Sequence, residues 1–187
     1  MRLVVGITGA TGVVIGVRLL EALRGLGVET HLVLSKWGRA TLKMECDLSV
    51  AEVHALADHV HAPGDLSAPV SSGSFRTDGM IIAPCSMKTL AAIRSGYGEG
   101  LIPRAADVTL KERRRLVLVP RELPLSEIHL SNMLEMTRMG AILAPPMLAF
   151  YNRPKTIDDL VTHVVARVLD LFGLDLPEGQ RWTGPPR

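Results

Sequence analysis

The sequence predicts an α/β fold: an open parallel sheet with helices on both faces, in three layers. Short apolar runs alternate with segments of helical period along the chain, the pattern of repeated strand–helix–strand units. Those runs break at Gly, Pro and hydroxyl residues, which turn each strand into the next helix. A length of 187 residues with 47% hydrophobic content supports one domain with a real core and excludes disorder as the main state. The expected boundaries are a single domain over 1–176 and a tail, 177–187, with too little apolar content to fold alone.

Leu3 to Ile7 is the first strand, and Thr8-Gly9-Ala10-Thr11-Gly12 is its turn. Val14, Val17, Leu20 and Leu23 recur at helical spacing, so a helix runs from Val13 to Leu26 and closes at Gly25 and Gly27. His31 to Leu34 is the second strand, ending at Ser35-Lys36, and Trp37 to Glu45 is the second helix. Ser49 and Glu52 form a capping-box pattern that starts a short helix. From His59 to Gly73 the Pro, Gly, Ser and Asp content predicts loop. Met80 to Ala83 is a buried strand, turned by Pro84-Cys85-Ser86 into a helix ending near Ser95. After a second glycine-rich passage, Arg104 to Lys111 is helical and Leu116 to Val119 is the next strand. Ser126 to Met139 is a helix, and Ala141 to Ala144 is a last short strand stopped by Pro145-Pro146. A capping box from Thr156 to Asp159 opens a long helix to Phe172.

Several function classes drop out. No apolar run reaches the length of a membrane span, and Leu3-Val4-Val5 meets Gly6 at once, so it reads as a strand and not a signal peptide. Cys46 and Cys85 lie in no CxxC pattern, which fits reduced thiols in the cytoplasm. A net charge of +2 and an aromatic content of 4% give no global basis for binding nucleic acid. His54, His59, His61 and His129 do not cluster in sequence and show no HExxH spacing, so no metal is expected.

The chemistry-bearing residues sit in the turns after strands, where an open α/β sheet binds ligands. Gly9, Ala10, Thr11 and Gly12 let the backbone approach a phosphate at a helix N-terminus; the bland reading is a tight turn. The spacing is not GxGxxG, and Ser35-Lys36 stands where an NAD site wants an acid, which disfavours NAD and weakens NADP. Ser86 and Thr89 offer hydroxyls to a phosphate or flavin edge, or serve as a plain N-cap. The stretch Arg104–Asn132 concentrates basic charge and leaves its strand at Arg121-Glu122, a phosphate fork beside a proton carrier or a surface ion pair. Arg113, Arg114 and Arg115 read as a solvated face or a subunit contact, and Cys85 as a buried structural thiol.

Taken together, GITGATG, ETHLVLSK, SSGSFRTDGM, PCSMKTL, RAADVTLKERR, LVLVPRE, PLSEIHLSNM, PPMLAFYNRP and the closing RW resemble the flavin prenyltransferase family of UbiX type, which includes phenolic acid decarboxylase B subunits. The resemblance runs from Arg2 to Trp182. It implies a Rossmann-like flavoprotein, FMN as cofactor, and a homo-oligomer, typically a dodecamer, with sites at subunit interfaces. It implies metal-independent transfer of a dimethylallyl group from dimethylallyl monophosphate to N5 and C6 of reduced FMN. The prenylated flavin would then serve a UbiD-type decarboxylase.

By motif, the resemblance assigns Gly9, Ala10, Thr11, Ser35, Ser86, Met87, Lys88, Thr89 and Arg121 to FMN. It assigns Tyr151 and Arg167 to the prenyl phosphate, with Arg104 and Lys111 from a neighbouring position or subunit. Glu122 is the expected proton carrier, Glu45 a second carboxylate, Lys111 a catalytic cation and Trp182 a wall of the prenyl pocket. Thr11 stands where Ser is usual, Ile15 where Tyr is frequent, Trp37 where Ala is frequent, and Lys88 where some members carry a smaller residue. These departures resemble the decarboxylase-associated branch. Two alternatives stand beside this reading: an FMN-binding accessory subunit without prenyl transfer, and an FMN-dependent cysteine decarboxylase of the phosphopantothenoylcysteine type. The latter wants a PxSANT-like turn, and the chain has PCSMKT.

Overall fold

The computed structural model of the chain describes residues 1–179, 181 and 184. Its strands are β1 (Arg2–Ile7), β2 (Glu29–Leu34), β3 (His59–His61), β4 (Gly79–Cys85), β5 (Arg115–Pro120) and β6 (Ile142–Leu143). Its helices are α1 (Val13–Gly25), α2 (Lys36–Glu45), α3 (Val50–Ala55), α4 (Met87–Arg94), α5 (Leu101–Lys111), α6 (Glu127–Arg138) and α7 (Ile157–Asp170). The strands form one parallel sheet in the order β3-β2-β1-β4-β5-β6.

Successive side chains of a strand point to opposite faces, and both faces here are covered. Leu3, Val5, Ile7, Leu32, Leu34, Ile81, Ala83, Val117 and Val119 pack on one side with residues of α1, α2, α3 and α7. Val4, Val33, Met80, Ile82, Leu116 and Leu118 pack on the other with α4, α5 and α6. This is the expected three-layer α/β/α architecture. The helix after β1 covers one face and the helix after β4 the other, so the chain parts between these neighbouring strands. That parting is a topological switch point, and it opens a crevice at the carboxyl ends of β1 and β4.

Most boundaries shift by one or two residues, and the two larger differences from expectation have physical reasons. The segment expected as loop from His59 contains β3, an edge strand whose His59–His61 pair with His31–Val33. Its first two residues are exposed, so it has no apolar run to read. α5 starts at Leu101 rather than Arg104, because Pro103 occupies the first turn, where its missing N–H lacks an intrahelical partner in any case.

The expectation that the histidines do not cluster is also overturned. β2–β3 pairing sets His31 opposite His59, and the rings of His31 stack on His59 at 4.5 Å and on His61 at 5.2 Å. His31 Nε2 lies 3.2 Å from Glu29 Oε1, which also accepts from Arg2 Nε at 2.8 Å. Burial pushes the His31 imidazole below its ordinary value against the opposing hydrogen bond to Glu29, and burial also lowers His61. The Arg2 hydrogen bond holds the Glu29 carboxyl below the usual carboxylate range.

Candidate active site at the switch point

Thr8 ties the two sides of the crevice together. It is buried, its Oγ1 donates to the Pro84 carbonyl at 2.7 Å, and the same oxygen accepts from the Ser86 N–H at 2.8 Å. Its own N–H also reaches the Pro84 carbonyl at 3.2 Å. Sequence reading passed over Thr8, although a hydroxyl directly after a buried strand was a usable signal. Thr8→Val keeps the shape and removes both side-chain bonds, leaving the Ser86 N–H without its partner. The expected cost is about 1–3 kcal/mol by urea denaturation, with weaker binding of a ligand in the crevice. Unchanged stability and affinity would show that the tie is dispensable.

The turn after β1 is shaped by close packing. A Cβ on Gly9 would stand 2.3 Å from the Trp37 Cβ, so glycine is what lets α2 begin beside this turn. Gly12 takes a left-handed conformation, φ 94°, as the N-cap of α1. Glu45, at the last position of α2, accepts from the Gly12 and Val13 N–H groups at 2.9 and 3.0 Å. The helix end that the sequence offered to a phosphate therefore already holds a carboxylate, which offsets the positive end of the α1 dipole.

The other two helix N-termini at the crevice carry hydroxyl caps. Ser35 Oγ accepts from Gly38 N at 2.9 Å to start α2. Ser86 Oγ accepts from Thr89 N at 3.3 Å and lies 3.0 Å from Thr89 Oγ1 at the start of α4. Met87 is half-buried beside them and Lys88 is exposed. Cys85 is fully buried, and desolvation pushes its thiol up to about 12, so it is inert as a nucleophile.

Arg121 and Glu122 follow β5 on the neighbouring loop, where the Arg121 N–H donates to the Cys85 carbonyl at 3.2 Å. Both side chains are exposed, and Glu122 Oε1 accepts from Leu123 N at 3.1 Å. Among the described residues, no ion pair includes Lys36, Lys88, Arg121 or Glu122. The surface ion pair considered for Arg121 and Glu122 does not form, and the crevice is rimmed by cations without acidic partners. Two helix N-termini, several hydroxyls and such cations can together hold a phosphorylated ligand.

The remaining sequence-predicted residues lie elsewhere in the chain. Tyr151 and Arg167 belong to the far flank, by β6 and α7. Tyr151 OH lies 3.4 Å from His163 Nε2, and Asn152 Nδ2 lies 3.0 Å from His163 Nδ1. His163 and Arg167, one helical turn apart, line a cavity of about 210 Å³ with Ala144, Pro145, Met147, Val164 and Val168. His163 was missed from sequence; its spacing of four from Arg167 was the available signal. Arg167 also pairs with Asp170 at 2.6 Å, and Arg181 reaches the same carboxylate at 2.5 Å. Arg104 is braced by the Ser71 carbonyl at 3.1 Å and Asp107 at 2.9 Å. Lys111 ends α5 in an ion pair with Glu112, at the amino end of the sheet. Trp182 lies outside the described residues.

The fold and the crevice define a flavoprotein, and a family model described as Flavoprotein matches residues 1–169. The probable UbiX-like flavin prenyltransferase of Streptomyces sp. (strain D7) is 71% identical over 98% of this chain and 92% of its own length. The crystal structure of a dodecameric FMN-dependent UbiX-like decarboxylase from Escherichia coli O157:H7 is 63% identical, with a TM-score of 0.97 over 98% of this chain and all of that one. The crystal structure of AnUbiX in complex with FMN and dimethylallyl pyrophosphate is 61% identical, with a TM-score of 0.98 over 99% and 98% of the two chains. By contrast, the FMN-dependent cysteine decarboxylase SpaF shares 16% identity at a TM-score of 0.61, which shows the fold alone. The chain belongs to the UbiX-like flavin prenyltransferases.

Proposed function

We propose that the chain attaches a dimethylallyl group from dimethylallyl monophosphate to N5 and C6 of reduced FMN, without a metal, and that the product serves as cofactor of a UbiD-type decarboxylase. What carries the reading is the 61% identity, over nearly the whole chain, to a protein crystallised with FMN and dimethylallyl pyrophosphate. The residues of the crevice fit such a flavin: hydroxyls at two helix N-termini, beside Lys36, Lys88 and Arg121. Reduced FMN supplies the nucleophilic nitrogen and carbon.

Gly9, Ala10 and Thr11 line the flavin edge, and Ser35, Ser86, Met87, Lys88, Thr89 and Arg121 complete its site. Tyr151 and Arg167 hold the prenyl phosphate with Arg104 and Lys111. Allylic C–O cleavage puts charge on the leaving phosphate, which fixed cations and a phenol donor stabilise. Apolar walls keep water from the allylic carbon. Glu122 moves the proton that ring closure releases, and Glu45 is the second carboxylate at the flavin turn.

The chain works as a homo-oligomer, a dodecamer in this reading. Leu123, Ile128, Met147, Phe150 and Ile157 are each at least 69% exposed on segments that follow β5 and β6, large apolar side chains that subunit contacts would cover. The deciding experiment is anaerobic incubation with reduced FMN and dimethylallyl phosphate, followed by mass spectrometry of the released flavin. A mass increase of one prenyl group is expected; an unchanged flavin with every allylic phosphate tried would sink the reading.

The Tyr151 flank gives a narrower test. The Asn152 amide donates to His163 Nδ1, which leaves the proton on Nε2 for donation to the Tyr151 oxygen. Tyr151→Phe is expected to raise KM for the prenyl donor by about tenfold, the loss of one hydrogen bond to a charged group, with FMN affinity unchanged. His163→Leu should raise KM less and add nothing in the Tyr151→Phe background. An unaltered KM in both would remove this pair from the phosphate site.

A further inference from the structure

A second constellation stands away from the crevice, toward the amino ends of β2 and β3. His59 and His61 are two positions apart on one strand, so both rings project from the same face, the face that His31 shares across the ladder. The Nε2 atoms of His31 and His59 converge on one carboxylate oxygen, Glu29 Oε1, at 3.2 and 3.5 Å. One donor atom from each of Glu29, His31 and His59 lies within 4.8 Å of the others. Behind them, His31 Nδ1 is 2.9 Å from His61 Nε2, and the edge of the Phe75 ring system holds His31 at 5.1 Å.

We propose that Glu29, His31 and His59 bind one divalent transition-metal ion of the zinc class, with His61 orienting His31. Two imidazoles and a carboxylate are a donor set that such ions take, leaving positions for water or another residue. A ligating histidine hands its second ring nitrogen to a neighbour, and the His31–His61 contact supplies that hydrogen bond: Nδ1–H donates to His61 while Nε2 faces the ion. His31 is buried and fixed, whereas His59 and Glu29 are open enough to close on an ion.

Arg2 is the competitor. Its Nε donates to the same Glu29 oxygen at 2.8 Å, so the structure shows the carboxylate held by a guanidinium. Arg2 has other partners to keep when Glu29 turns away. Its Nη1 donates to the Arg76 carbonyl at 3.0 Å, and its Cζ stands 4.7 Å over the Phe75 ring. The competition makes the proposal sharp, because removing the guanidinium should tighten metal binding and removing an imidazole should weaken it.

The test is titration calorimetry of the tag-free, chelator-treated full chain with ZnCl2, alongside Co2+ absorption as a report of the donor set. Saturable binding of one ion per chain is expected. His59→Ala, at an exposed position, should weaken it about tenfold or more, and Arg2→Met should strengthen it. Prenyl transfer should be unchanged in both variants. Absence of saturable binding in wild type and Arg2→Met alike would overturn the proposal. So would binding that His59→Ala and Glu29→Gln leave intact, since the ion would then sit elsewhere.

Discussion

Glu122→Gln is expected to keep FMN bound and to lower prenyl-transfer turnover by about 10²–10⁴-fold, the usual contribution of a positioned proton carrier. The side chain is placed for the task by β5, whose buried run ends at Pro120 and delivers Arg121 and Glu122 to the carboxyl edge of the sheet. No cation among the described residues pairs with its carboxylate, so its charge is left to the ligand and to whatever packs over the loop. Gln is the informative substitution because its amide oxygen still accepts from the Leu123 N–H, the bond Glu122 makes at 3.1 Å. The turn is therefore kept and only the exchangeable proton is lost. Flavin titration should give an unchanged affinity, and single-turnover mass spectrometry should show unreacted flavin. Turnover like that of the wild type would remove Glu122 from the mechanism.

The parts of this fold that were legible in the sequence are those whose burial is two-sided. Met80–Ala83 and Leu116–Val119 are continuous apolar runs because helices cover both faces of their strands, and the structure extends each by only one or two residues at either end. Ser86 was legible as a cap because it stands directly before a helix, whereas Ser35, which caps α2, reads in the sequence as the end of β2. β3 was not, since an edge strand is held by backbone bonds to β2 and leaves its side chains exposed. Glu45 at the N-terminus of α1 and the stacking of His31 on His59 join positions 33 and 28 residues apart, and no local pattern reports such pairs. Lys111 misleads in the other direction. Ten positions separate it from Arg121, yet α5 ends at the amino edge of the sheet and the parallel strand β5 then carries the chain to the carboxyl edge, which sets the two at opposite ends.

That separation carries the second large prediction. β5 spans six residues, about 20 Å of strand, between the end of α5 and the Arg121-Glu122 loop. Tyr151 follows β6, and Arg167 lies on α7 beside the Ala144–Met147 segment. One chain cannot bring Lys111 and Glu122 to the same phosphate, so a complete site draws them from different copies. Lys111→Ala alone should abolish turnover much as Glu122→Gln does, since it strips a cation from the leaving group. Mixing the two inactive variants under conditions that exchange subunits should then restore activity, because about a quarter of the sites formed across heterologous interfaces receive both intact residues. The same mixture without exchange should stay inactive. If exchange is demonstrated by mass and no activity returns, either both residues serve a site from one chain or Lys111 acts on folding. Circular dichroism and flavin affinity of Lys111→Ala decide between those two, and either result would overturn the shared site.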